Sequence, residues 1–427
     1  MNVLLATIGS GGDVHPYIAL GAALQRRGHR ATLLSNPYFQ ERIERAGLGF
    51  APLGTREEYL RAVAHPDLVH RSRGPAFVLN ELVLSKSREM FVHARKIIRA
   101  QRVDLVVRHL IAFGAGWAAQ REGVREVSAT LSPLFWLSTQ DPGVFRHWEP
   151  RRYPRWLAAW RLSLAKFVAR FQFDPGINVG RAEAGLPAQR DAFVRELVGG
   201  ERTLGLWSGA FRPAQGDDPA HGRICGFTWY DGSSGGLDPA LQRFLDSGRP
   251  GDEPVVFTLG TSVVHHAGDF FALCARVCRS LGRRGVLLTG PSEAGNAPPE
   301  LPSGLIAVPY ASFAALLPRA CATVHHGGLG TTAQALRAGR PSLVIPFAND
   351  EFDQAARVHR LGLGGSLYAG RLSERRLRAA LASILSDQSI AQQAAAMGER
   401  LRQEDGAERA VDELESLIAA PARSPQP

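Results

Sequence analysis

The stretch "HHGGLGTTAQALRAGRPSLVIPFANDEFDQAA", His325 to Ala356, decides how this chain is read. The run "ATVHH" that leads into it reads as a strand, and the alanine-rich run after the glycines reads as a helix near 331–338. Phosphate oxygens need several backbone N–H groups aimed at one point. A strand, a glycine turn and a helix N-terminus supply them, and the helix dipole adds favourable potential. Gly327, Gly328 and Gly330 let the chain turn and approach closely without side chains in the way. Thr331 and Thr332 add hydroxyl donors, and His326 at the strand end offers an imidazole N–H. The cluster reads as a diphosphate cradle, and the carboxylates of Asp350 and Glu351 follow it.

Two other phosphate motifs fail. A P-loop needs Gly-Lys before Ser or Thr, and none of Lys86, Lys96 and Lys166 follows a glycine. A dinucleotide fingerprint needs G-x-G-x-x-G after the first strand. "GSGGDV" has Gly9 and Gly11 but Val14 in the last place, and "LLSNP" offers Ser35 and Asn36 where an acid is required. An NAD(P)-dependent oxidoreductase is therefore the weaker alternative, beside a non-catalytic nucleotide-sugar or lipid binder.

Outward from the opening stretch the same grammar repeats. "PVVFTLGTS", "GVLLTG", "LIAVPY" and "SLVIPF" are apolar strands that alternate with helices such as "FFALCARVCRSLG". The first half shows a strand Val3–Ile8, a turn Gly9–Pro16, a helix Tyr17–Arg27 capped by Gly28, and further strands in "HRATLLS" and "VDLVVRHL". Such alternation means parallel sheets covered on both faces. The length of 427 residues exceeds one ordinary core. The expected fold is α/β, with two facing Rossmann-like doubly wound domains and a ligand cleft between them. Boundaries are placed at 1–215, a Gly- and Pro-rich linker at 216–238, a second domain at 239–405, and a helix with a disordered tail at 406–427. One stretch breaks the pattern. Trp148 to Phe173 mixes Trp, Phe and Arg at helical spacing. It is expected to cover an apolar pocket, to touch a membrane surface, or to be an ordinary amphipathic helix.

Net charge is +10, carried almost wholly by arginine, but the arginines are scattered and no nucleic-acid partner is expected. No apolar run is long enough to span a bilayer, and the N-terminus lacks signal-peptide features, so a cytoplasmic or membrane-peripheral location and a monomer or weak dimer are expected. Cys225, Cys274, Cys278 and Cys321 are unpatterned and read as buried apolar residues rather than metal ligands or disulfides.

"VHHGGLGTTAQALRAGRPSLVIPFANDEFDQAARV" resembles the donor-binding signature of the family 1 glycosyltransferases of GT-B fold. "GSGGDVHPYIALGAALQRRGHRATLLS" resembles their N-terminal signature. The likeness is to the bacterial branch, with sterol and antibiotic glycosyltransferases and the rhamnolipid rhamnosyltransferase. The resemblance implies that His326 and Thr331 hold a diphosphate, with the backbone of Gly328, Gly330 and Thr332 helping. It implies that the loop Gly260, Thr261 and Ser262 faces the phosphates from the other side. Tyr310 would stack on the base and Ala311 would offer backbone bonds. Gln334 falls where plant members carry a ribose-binding Glu. Asp350 and Glu351 would read sugar hydroxyls, where the family usually has an acid followed by Gln. A UDP-sugar is the favoured donor, with a dTDP-sugar as the other choice.

Glycosyl transfer needs a base on the acceptor side of the cleft. Asp13, in the loop after the first strand, matches the place where plant relatives carry His and many bacterial relatives Asp. A raised pKa would make it an effective base; otherwise it is a first-turn aspartate that caps a helix. His15 and His109 are the understudies. Gly12, Phe135, Trp136 and Asp141 are expected to line the pocket for an apolar hydroxylated acceptor. His265 and His266 look like a metal pair, but no metal or other cofactor is expected, because helix dipole, imidazole and hydroxyls can carry the phosphate charge. The resemblance implies inversion at the anomeric carbon of a hexose.

Overall fold

The computed structural model describes residues 1–420 except Arg71, 147–153, 233–235, 292, 293 and 299. The disordered tail expected over 421–427 and the start of the Trp148–Phe173 stretch lie outside the described residues. The chain forms two wholly parallel sheets. The first holds β1 (Asn2–Ala6), β2 (Arg30–Ser35), β3 (Gly49–Pro52), β4 (Leu105–His109), β5 (Arg125–Thr130), β6 (Arg202–Gly205) and β7 (Gly222–Ile224), in the order β3-β2-β1-β4-β5-β6-β7. The second holds β8 (Val255–Thr258), β9 (Gly285–Leu288), β10 (Leu305–Val308), β11 (Ala322–His325), β12 (Ser342–Val344) and β13 (Gly364–Ser366), in the order β10-β9-β8-β11-β12-β13. Val3, Leu4 and Leu5 alternate between two packed faces and all are buried, which is why the strand reads as an unbroken apolar run.

Strand order reverses beside β1 in one sheet and beside β8 in the other. Ligands bind at such switch points, outside the carboxyl ends of the strands. The loops after β1, β4, β8 and β11 all line one large cleft.

Two boundaries differ from the sequence reading. The first helix spans Gly11–Arg26 and takes in most of the expected turn Gly9–Pro16. Ser10 and Asp13 cap it early, and Pro16 falls inside, so the Gly12 carbonyl lacks its usual helical donor. The linker expected from 216 begins later, because Gly222–Ile224 pairs with β6 as the edge strand of the first sheet. The helix Gly406–Ala419 returns to the N-terminal domain. Ala410, Val411 and Leu414 pack with Leu20, Ala23 and Leu24, and Arg26, Arg27 and His29 pair with Glu408, Asp412 and Glu415. A further apolar cluster joins the domains, with Trp136, Trp207 and Phe211 against Leu336, Val358 and Leu401.

Candidate active site

The cleft holds about 1980 Å³. On its C-terminal side, His326 follows the last residue of β11, and the helix Leu329–Arg337 begins three residues on with Gly328 as N-cap. The imidazole is wedged between two glycine backbones. A Cβ on Gly260 would lie 2.4 Å from His326 Cε1, and one on Gly328 would lie 2.3 Å from Nε2. Gly260 also has φ +67°, so the turn after β8 and the slot for the ring both need glycine there. Burial pushes the imidazole pKa down to about 4, so the ring is neutral at physiological pH. Its Nδ1 is buried with no hydrogen-bond partner among the described residues. A neutral ring with an unspent polar atom and a helix N-terminus beside it suit an anionic oxygen. Thr331, in the first helical turn, also lines the cleft. Thr332 does not offer its hydroxyl: it is fully buried and donates to the Gly328 carbonyl at 3.1 Å. Gly12 stands opposite, its Cα 3.7 Å from where a Gly330 Cβ would be. Thr261 lies in the same narrow crossing, against Gly11, and Ser262 lines the cleft beside it.

Across the cleft, Asp13 occupies the first turn of its helix. Its Oδ2 accepts from the Ser10 N–H at 2.7 Å. Gly9, at φ +130°, makes room, since a Cβ there would fall 2.2 Å from that oxygen. The other oxygen, Oδ1, lies 3.7 Å from His109 Nε2. Burial raises the Asp13 pKa to about 6; the Ser10 hydrogen bond opposes this and the nearby charge of Asp350 adds to it. Burial and the Arg108 charge hold His109 near pKa 3, so that imidazole is neutral. Arg108 is itself fully buried, paired with Glu126 and Glu196, and it donates to the Leu110 carbonyl at 3.0 Å, which fixes the loop that carries His109. His15 also lines the cleft but is packed among aromatic rings. Its ring packs on Tyr230 at 4.9 Å and edge-on to Phe39, and burial lowers its pKa to about 4.

Asp350 and Glu351 part company. Glu351 Oε2 accepts from the backbone N–H groups of Phe347 and Ala348 at 2.7 and 3.0 Å, so one oxygen of this carboxylate holds its own loop. Burial raises its pKa to about 8. Asp350 is only half-buried by its neighbours and lines the cleft. The partner missed in the sequence is Gln354, one helical turn on. Its Nε2 donates to Ser132 Oγ at 2.9 Å and lies 3.4 Å from Asp350 Oδ2, which ties the Asp350 carboxylate to the loop after β5 in the other domain. The i, i+4 spacing was the available signal. Gln334 donates to Asp231 at 3.2 Å, and Arg337 pairs with the same carboxylate.

The expected acceptor residues divide as well. Phe135 lines the cleft. Trp136 is buried against Trp207, with ring centroids 4.7 Å apart, in the apolar seam between the domains. Asp141 pairs with Arg357 at 2.6 Å, Arg212 at 3.3 Å and Arg360 at 3.4 Å. Burial opposes its charge, but these guanidinium groups outweigh that and hold its pKa below the usual range. Both residues fasten the domains together rather than face the cleft, because a carboxylate among three arginines and a Trp inside an aromatic cluster are already spoken for. Tyr310 is 67% exposed at the cleft rim, whereas the Ala311 side chain is buried in the core. His266 Nε2 is within 3.0 Å of the Val63 carbonyl of the other domain, so the His265–His266 pair is split. Cys274 and Cys278 are fully buried in the apolar core.

Two Rossmann-like domains whose strand-order switch points open on one cleft are the fold of the GT-B glycosyltransferases. Comparison with known proteins agrees. Residues 3–125 match the glycosyltransferase family 28 N-terminal domain, and residues 284–417 match the erythromycin biosynthesis protein CIII-like C-terminal domain. The O-mycaminosyltylonolide 6-deoxyallosyltransferase of Streptomyces fradiae is 30% identical over 420 residues, covering 96% of each chain. The sterol 3-beta-glucosyltransferase of Debaryomyces hansenii is 26% identical over 97% of this chain, which spans 26% of that larger protein. The crystal structure of the glycotransferase of kitacinnamycin superposes with a TM-score of 0.74 at 21% identity, over 98% of this chain and 99% of that one. The chain belongs to the family 1 glycosyltransferases of GT-B fold, and it is a sugar transferase.

Proposed function

We propose that this protein is an inverting hexosyltransferase that takes a nucleoside-diphosphate sugar and glycosylates a hydroxyl of an apolar acceptor. A UDP-sugar is the favoured donor and a dTDP-sugar the competitor. The observation that carries the reading is the facing of Asp13 and the His326 cradle across one cleft. The helix N-terminus at Gly328, with His326 and Thr331, accepts the diphosphate. Asp350, with Gln354 behind it, accepts from sugar hydroxyls. The acceptor oxygen gives its proton to Asp13 as it bonds to the anomeric carbon, and the bond from that carbon to the diphosphate oxygen breaks with both electrons leaving on the phosphate. Attack from the face opposite the leaving group inverts the centre. Apolar residues such as Phe77, Leu79, Phe135 and Phe173 along the same cleft suit a natural-product, sterol or lipid acceptor. The two named relatives act on O-mycaminosyltylonolide and on a sterol by their printed names.

Calorimetric titration with UDP, dTDP and NAD in parallel tests this. Micromolar binding of UDP or dTDP, without NAD, is the expected result and selects the donor series. Binding of neither UDP nor dTDP would overturn the proposed donor.

A further inference from the structure

The helix Arg155–Gln172 has one buried residue, Ala158, and leaves Trp156, Trp160, Leu164, Phe167, Val168 and Phe171 exposed. At about 100° per residue these six fall within roughly a third of the helix circumference. Trp156 is 73% exposed and Phe171 66%, values far from those of side chains in a core. Phe167 and Phe171 lean on each other with ring centroids 4.7 Å apart. Arg161 borders the stripe on one side. Arg170 borders it on the other, and Lys166 and Arg155 lie further round that side, toward the cleft face. The helix contains no Asp or Glu. Its opposite face, with Leu162, Ala165 and Ala169, lines the same cleft as Asp13.

The geometry points to a membrane-docking surface: the outer face of helix Arg155–Gln172 lies in the interface of an anionic bilayer. Aromatic and aliphatic side chains enter the boundary between headgroups and acyl chains, and the flanking cations meet lipid phosphates. Charge selects this occupant. A second copy docked face to face would set its arginines against the same arginines with no carboxylate on either helix to pair them. No helix among the described residues is long and apolar enough to cross a membrane, so the contact is peripheral. Because the same helix walls the cleft, an acceptor dissolved in the bilayer has a short apolar route to Asp13. That last step rests on the transferase reading; the docking itself does not.

The test is co-sedimentation of the full chain with phosphatidylcholine vesicles, with and without phosphatidylglycerol. The expected result is binding that is roughly tenfold or more stronger with the anionic lipid and that weakens with salt. Trp160→Glu and Phe171→Glu, both at exposed positions, should each abolish it. Arg155→Gln with Arg170→Gln should keep the apolar stripe but remove the preference for the anionic lipid. Melting curves and UDP or dTDP titration are run on each variant. Lack of vesicle binding by the wild type, or equal binding by Trp160→Glu, overturns the docking. So does a concentration-dependent dimer that Trp160→Glu splits. If docking fails while nucleotide binding persists, the transferase reading stands alone. If docking holds and no nucleotide binds, the reverse is true.

Discussion

His109 Nε2 stands 3.7 Å from Asp13 Oδ1, while Asp13 Oδ2 is already bound by the Ser10 N–H at 2.7 Å. The carboxylate thus divides its duties. One oxygen caps the helix, and the other faces a neutral imidazole and the cleft. Capping and proton abstraction, set out as alternatives from the sequence, are compatible in one side chain. A neutral His109 adds no positive charge that would drag the Asp13 pKa back down.

Asp13→Asn should cut kcat by roughly 10²–10⁴-fold while leaving affinity for UDP or dTDP unchanged. Asn keeps an acceptor for the Ser10 N–H, so the helix start survives. The same substitution should stabilise the protein at neutral pH. The native pKa of about 6 lies above the unbound value of 3.8, so the folded state holds the proton more tightly. Stability from this group is therefore lost as pH rises from about 4 to about 6, and it stays lost above that. The variant escapes that loss, worth on the order of 1–2 kcal/mol after allowance for partial exposure. Melting temperatures at pH 7.5 and pH 4 check it: the variant melts higher at the first and level with wild type at the second. Unchanged turnover in Asp13→Asn would remove the base from the scheme.

The pH–rate profile should fall on the acid side with a single limb near pH 6, as Asp13 takes up its proton. Neither His15 nor His109 should add a limb above that, because burial holds both well below neutrality, at about 4 and about 3. kcat/KM measured from pH 4.5 to 9 at constant ionic strength reads this directly. A limb near pH 7 that His109→Gln removes would assign the proton transfer to the imidazole instead.

Gly260→Ala should damage donor binding and stability together. Its Cβ would meet His326 Cε1 at 2.4 Å, and φ +67° strains any side chain. A loss of about 1–3 kcal/mol is expected. His326→Ala has room to fold and should lower nucleotide affinity by roughly ten- to a hundredfold through the lost N–H donor. Titration with UDP or dTDP separates the two, since only Gly260→Ala should also lower the melting temperature strongly.

Asp141→Ala should behave as a stability variant. It strips the carboxylate from among Arg212, Arg357 and Arg360 and leaves Arg212 with Asp218 and Arg357 with Asp353 as their remaining partners. The expected cost is about 1–3 kcal/mol. Acceptor KM measured well below the melting temperature should hardly move; a selective rise in acceptor KM would return Asp141 to the pocket.

The parallel sheets were legible because buried strands such as Val3–Leu5 are continuous apolar runs. The strand, turn and helix start around Gly328 were legible because a glycine cluster separates an apolar run from an alanine-rich one. The length of the first helix was not, since Gly11, Gly12 and Pro16 are poor helix formers and the Ser10–Asp13 cap decides its start. Trp136 and Asp141 could not be assigned from their neighbours in sequence, because their partners lie far along the chain: Trp207 for one, Arg212 and Arg357 for the other. The bonds that Glu351 makes were hidden for a local reason. A carboxylate at a helix start can turn back onto its own backbone, and this one does so at Phe347 and Ala348.

The return of helix Gly406–Ala419 to the first domain makes that domain discontinuous. Val3 and Leu417 share one core, so the N-terminal half cannot close its hydrophobic interior until synthesis has passed the C-terminal half. The domain made first is the one finished last, and during translation it waits with an open apolar groove beside helix Gly11–Arg26. The chain also crosses between domains twice, near 225–238 and again near 402–406, like a door hung on two hinges. Two fixed points leave a single easy axis of rotation, so opening to admit donor and acceptor is expected to swing rather than wander.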